Sequence, residues 1–231
     1  MLKQLFTIFK KGTLLDKAFK QSYEMLSITR DMFSEAKKSL REKCVNQICF
    51  DIYDKDIEVN KYISEVRTNV LKHLTVAGSE EVYSGLVLVS IIIDIERIGD
   101  YTKNMIDLAN NHPAKLEGGV FEEDLQRIEI AVENTFSRVP KQFEKSDTKD
   151  AEKLIEEYHW VNKVCDQRAI DYIKEVDKTV SSGEAVSLAL YYRFLKRTNS
   201  HLRNIATSVI NPFDQIGFTR GIDNKGNIDI D

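Results

Sequence analysis

The 231-residue sequence contains only three prolines (Pro113, Pro140 and Pro212), ten glycines and three cysteines. So few turn formers argue against a fold of many short strands, and the long stretches rich in Leu, Ile, Glu and Lys favour long helices. Cys44, Cys49 and Cys165 are odd in number and form no CxxC, so neither a disulfide framework nor a zinc knuckle is implied. They read as reduced, buried thiols of a cytoplasmic protein. Charge of one sign is not concentrated anywhere: the net charge of -4 comes from interspersed signs, which argues against a dedicated nucleic-acid surface. A membrane-spanning run is also missing, because the most apolar stretch, Val82 to Ile93, stops at Asp94, well short of the roughly 20 residues a bilayer requires. The sequence has no P-loop, no Rossmann glycine pattern, no HExxH and no nucleophile with a nearby base, so no enzymatic activity is expected.

What the sequence does have is helical periodicity. With 42% hydrophobic and 30% charged residues it can bury a core, as one large domain or two small ones. Leu15, Ala18, Phe19, Met25, Leu26, Met32, Phe33, Ala36 and Leu40 recur at spacings of three and four and predict a helix over 14–42. Val59, Ile63, Val66, Val70 and Leu74 form a bundle-like seam over 45–75, closed by Ala77-Gly78. Ser79, with Glu80 and Glu81 behind it, starts a third helix whose periodicity continues through Leu86, Val89 and Ile93 to Ala109 and which contains Gly99, whose lack of a side chain suggests close packing or a close ligand. Asn110-Asn111-His112-Pro113 ends it.

Beyond a linker at 113–119 the plan repeats, with helices expected over 120–145 (bent at Pro140), 148–180 and 183–210. Two frames mark the duplication. Arg97 and Asn104 recur as Arg197 and Asn204, and Val59-Asn60-Lys61 recurs as Val161-Asn162-Lys163. The expected architecture is all-α, a tandem pair of three-helix bundles at 14–112 and 120–210, between an amphipathic N-terminal segment at 1–13 and an irregular tail at 211–231. In Met1 to Lys11 the residues Leu2, Leu5, Phe6 and Phe9 share one helical face bordered by lysines. That face fits a membrane surface in peripheral association, a partner groove or the protein's own domain.

Glu96 and Asp100 stand four apart on the third helix, so both carboxylates face the same way and two such groups suit a hard cation. The competing reading is a solvated acidic stripe, with Glu96 paired to Lys103 or Arg97. In the second half Lys196 and Ser200 stand where Glu96 and Asp100 do, and Tyr158 precedes Asn162 where Asp56 precedes Asn60. Arg97 and Arg197 suit a structural role, gripping a carboxylate of a neighbouring helix. His73, His112, His159 and His201 are scattered and have no ligand spacing.

The segment Ile95-Glu96-Arg97-Ile98-Gly99-Asp100 with Asn104, the Asp56-to-Asn60 element before it and the tandem layout resemble the PhoU family of phosphate-regulatory proteins over roughly residues 14–210. The resemblance implies two three-helix bundles and a metal site for iron or zinc at Glu96, Asp100 and Asp56, with the second site lost at Lys196 and Ser200. It also implies a cytoplasmic, self-associating regulator that restrains phosphate uptake and the starvation response through a phosphate transporter and a sensor histidine kinase. An iron- or zinc-binding or storage protein and a metal-free helical scaffold are the alternatives.

Overall fold

The computed structural model describes residues 12–42 and 51–218, with the backbone of 221–222 and 228–229. The amphipathic stretch Met1–Lys11, Cys44 and Cys49 lie outside the described residues. Three helices form the first bundle: α1 (Leu14–Arg41), α2 (Ile52–Leu74) and α3 (Val82–Asn111). Each start has a local cause. Thr13 caps α1 by accepting from the Asp16 N–H at 3.1 Å, and Asp51 caps α2 by accepting from the Tyr53 N–H at 2.8 Å. Helix α2 therefore begins at Ile52 rather than near residue 45, and a 3₁₀ turn over Ser79–Glu81 precedes α3. The apolar periodicity of α1 and α2 faces inward as expected, with Leu15, Met25, Met32, Leu40, Val59 and Val66 buried. On α3 the series expected inside is turned outward: Leu86 and Ile93 are exposed and Val89 half-buried, and Ile91, Ile92, Ile95 and Ile98 fill the core instead.

The second bundle holds α4 (Glu122–Lys145), α5 (Thr148–Glu157), α6 (Trp160–Ile173) and α7 (Ser182–Ile210). Its middle helix is interrupted where a continuous one over 148–180 was expected. Tyr158 turns into the core and its hydroxyl accepts from Asn134 Nδ2 at 3.1 Å, and α6 starts anew two residues later. The end of α6 comes early as well. Glu175 adopts a left-handed φ of 52°, the Val176 N–H reaches Asp171 O at 3.0 Å and the Glu175 N–H reaches Tyr172 O at 3.0 Å, the paired closure of a Schellman cap. Helix α7 opens on a reciprocal capping box between Ser181 and Glu184. Past α7 a 3₁₀ turn at Phe213–Gln215 is followed by a minimal antiparallel pair in which Gly221 faces Asp229.

The two bundles share one core. Equivalent helices meet in antiparallel fashion: α1 lies on α4, with Phe33 against Phe136 (ring centroids 5.1 Å apart) and Phe19 stacked on Phe143 (4.8 Å), and α3 lies on α7. Along α3 and α7 the contacts are reciprocal. Asp94 meets His201 at 2.7 Å, and Phe194, which occupies the position of Asp94 in the second repeat, meets Tyr101, which occupies that of His201 in the first (centroids 6.3 Å). This is the pattern of a two-fold contact, realised within one chain.

Candidate functional site

Helix α3 turns Ile95, Ile98 and Thr102 into the core, and the 3.6-residue period places Glu96, Arg97, Asp100 and Lys103 on the opposite, partly exposed side. Across from them α2 presents Asp56 and, one turn on, Asn60. Asp56 is 7% exposed. Its Oδ2 accepts from the Lys103 ammonium at 2.7 Å and from Asn60 Nδ2 at 3.2 Å. Lys103 also reaches Asp100 Oδ1 at 3.2 Å, so one ammonium bridges a carboxylate of each helix. Burial alone would lower the Lys103 pKa, but its hydrogen bonds to Asp56 and Asp100, with their negative charge, outweigh it and hold the pKa above the ordinary lysine value.

The other oxygens are less evenly served. Arg97 stays on its own helix, 3.7 Å from Glu96 Oε2 and 3.5 Å from Asp100 Oδ2, rather than gripping a neighbouring helix. Glu96 lines an open groove with Asn60, Ile63, Ser64, Arg67 and Thr68. Asp56 Oδ1 is enclosed and, among the described residues, receives no hydrogen bond. Gly99 faces it: a Cβ at that position would lie 3.6 Å from Asp56 Oδ1 and 3.8 Å from Thr29 Cγ2, ordinary contact distances. Gly99 is therefore not required by tight packing, whereas Gly85 is close-packed, since a Cβ there would lie 2.9 Å from Leu74 Cδ1 and 3.0 Å from Val70 Cγ1.

A divalent ion needs several oxygen or nitrogen donors directed at one point. Among the described residues no three His, Cys, Asp or Glu side chains are grouped so as to hold one. Lys103 stands between Asp56 and Asp100, and Glu96 turns to Arg97, so the three acids are divided between two cations. As arranged, the residues do not fit a metal ion.

The second bundle resolves the same junction differently. Lys196 binds Asp166 of α6, with Arg193 3.2 Å from the other oxygen, and Asn162 donates to Ser200 Oγ at 2.9 Å while accepting from Asn199 at 3.1 Å. Of the histidines, His159 hydrogen-bonds Glu156 O at 2.7 Å, His73 pairs with Glu81, and His112 Nδ1 lies 2.6 Å from Ala114 O.

Two polar clusters escaped the sequence reading because each depends on which helices face one another. At the α3–α7 crossing Asp94 accepts from His201 and from Asn204 Nδ2 (2.9 Å), and His201 stacks on Tyr101. Where α1 meets α4 and α7, Arg41 binds Glu129 (2.9 Å), Glu122 and the carbonyl of Leu116, and the Tyr191 hydroxyl donates to Glu129 at 2.7 Å. Burial pushes Glu129 above the ordinary carboxylate range, and Arg41 and Tyr191 offset this only in part.

Two helical bundles fastened through equivalent faces, with each outer junction held by a lysine–carboxylate bridge, define a tandem-repeat bundle protein. Residues 23–109 match the family model of the PhoU domain. The crystal structure of the phosphate transport system regulatory protein PhoU from Streptococcus pneumoniae superposes with a TM-score of 0.72 over 85% of this chain and 93% of that one, at 14% sequence identity. No curated protein matches the chain. Most of the first bundle thus matches the PhoU domain model and the chain has the fold of that crystal structure, with Lys196 and Ser200 standing where the acidic pair would fall in its second repeat.

Proposed function

We propose that this protein is a regulator of phosphate uptake and phosphate-starvation signalling that acts by protein contact, with a phosphate transporter and a sensor histidine kinase as its partners. The observation that carries the reading is the PhoU domain at 23–109 within a fold shared over 85% of the chain with a phosphate transport regulator. The side-chain chemistry supports it. Among the described residues its polar clusters pair with one another across helix junctions, an arrangement that suits a rigid body presenting its faces to a partner. Exposed apolar residues at helical spacing, Val82, Leu86 and Ile93 on α3, offer a face for such contact. Among the described residues no helix is long and apolar enough to cross a membrane, in keeping with a cytoplasmic protein that meets its membrane partner from outside the bilayer. Self-association belongs to the same proposal.

Deleting the gene in its own host should raise phosphate uptake in phosphate-replete medium and switch on starvation-response transcription. Tagged protein should recover transporter or kinase subunits from native membranes. Unchanged uptake and signalling, with neither partner recovered, would overturn the reading.

A further inference from the structure

We propose that Lys103 is the resident cation of the first bundle: it holds the α2–α3 junction without metal, and removing its ammonium leaves the Asp56 and Asp100 carboxylates to take a divalent cation in its place. The inference goes beyond the regulatory reading and stands without it.

Three observations carry it. The first is position. Nζ lies 2.7 Å from Asp56 Oδ2 and 3.2 Å from Asp100 Oδ1, which places a positive charge between carboxylates of two helices, and a second cation cannot share those oxygens with it. The second is need. Asp56 is more than nine-tenths buried, and a buried carboxylate is retained only with a compensating charge. Lys103 supplies that charge through Oδ2, while Oδ1 is enclosed, directed toward Gly99 and unpartnered among the described residues, so Asp56 keeps a free acceptor. Counting Glu96, the junction has three acids against Lys103 and Arg97, and without Lys103 the same three would face Arg97 alone.

The third observation is recurrence. In the second bundle a lysine on the equivalent helix, Lys196 of α7, binds an aspartate on the preceding helix, Asp166 of α6. The two lysines occupy different repeat positions, since Lys196 corresponds to Glu96 and Lys103 to Arg203. Both repeats thus place an internal ammonium at this junction by separate routes. Asn60 in the first bundle and Asn162 in the second complete the polar contacts, donating to Asp56 and Ser200.

The test uses the full chain, stripped with chelator and then dialysed against Mn²⁺ or Zn²⁺, with bound metal read by elemental analysis and stability by calorimetry. The wild type and Lys103→Arg should retain no stoichiometric ion, and their melting temperatures should be unmoved by chelator or by either ion. Lys103→Met should melt lower without metal, take up a stoichiometric ion and recover stability with it, and adding Asp100→Asn should abolish both the uptake and the recovery. If Lys103→Met does not fold alone, folding rescued by Mn²⁺ or Zn²⁺ supports the proposal and failure in their presence overturns it. A wild-type protein holding a stoichiometric ion that Asp56→Asn releases would also overturn it, as would a Lys103→Met protein that is fully stable and takes up no ion.

Discussion

Arg41 shows how much of the junction between the bundles depends on one side chain. Its guanidinium is the only cation bonded to Glu129 among the described residues, and Glu129 is 5% exposed. Substituting Arg41→Ala would leave a buried carboxylate with the Tyr191 hydroxyl as its main partner, a change expected to cost about 3 kcal/mol. The pH dependence follows from the direction of the shifts. Glu129, raised by burial, binds its proton more tightly in the folded state, so its unfavourable contribution grows as pH rises from the ordinary glutamate range through its folded pKa. Burial alone would raise Glu122 too, but the bond from Arg41 brings it below its ordinary value, so the stability it contributes is present at neutral pH and lost in acid. Losing Arg41 therefore hurts more at about pH 8 than at about pH 5, because the lower pH brings Glu129 closer to its protonated form, while Glu122, held below its ordinary value, stays ionised at both and loses its contribution only in stronger acid. Urea denaturation of wild type and variant at both values checks this; an equal difference at the two would count against it. Nothing in the sequence announced this cluster, since Arg41, Glu129 and Tyr191 belong to separate amphipathic patterns and meet only through helix pairing.

At the scale of elements, the sequence was legible where burial alone decides. Leu15 to Leu40 and Val59 to Val70 face the core as their spacing required, and helix ends at Arg41, Leu74, Lys145 and Ile210 fall within two residues of expectation. On α3, apolar nearly all round in its first half, spacing picked Leu86 and Ile93, which the fold leaves exposed. It was not legible where a tertiary contact overrides period. Tyr158 fits a continuing helix until its hydroxyl finds Asn134, and no local signal foretells that. The acidic pair was half legible: the i, i+4 spacing put Glu96 and Asp100 on one side of α3, but a pairing of Lys103 with Asp56 needs the facing helix. Helix ends also show where the sequence departs from the local optimum. Ser146 ends α4 at a left-handed φ of 51°, with its buried hydroxyl unpartnered among the described residues. Because that conformation costs a non-glycine residue about 1–2 kcal/mol, Ser146→Gly is expected to stabilise the protein by about 1 kcal/mol, readable as a higher denaturation midpoint at unchanged slope. Ser181→Ala acts the other way, removing the capping box of α7 at a cost of about 1 kcal/mol.

For the whole molecule the decisive contact is the crossing of α3 and α7. Asp94 receives two hydrogen bonds there from the other bundle, so Asp94→Ala leaves His201 and Asn204 without that partner and should cost about 2–3 kcal/mol. If the crossing is what couples the repeats, the variant's denaturation curve should broaden relative to wild type; a curve shifted but equally steep would show that the α1–α4 contact suffices. The reciprocal pairing of position 94 with 201 and 194 with 101 has a further consequence. Two identical subunits meeting this way would present the same outer face twice, and a partner could dock in either of two equivalent orientations. Joined in one chain, the faces are free to differ, and here they do: one carries Glu96, Asp100 and Lys103, the other Lys196, Ser200 and Arg203. Covalent linkage thus gives a partner a single way to sit.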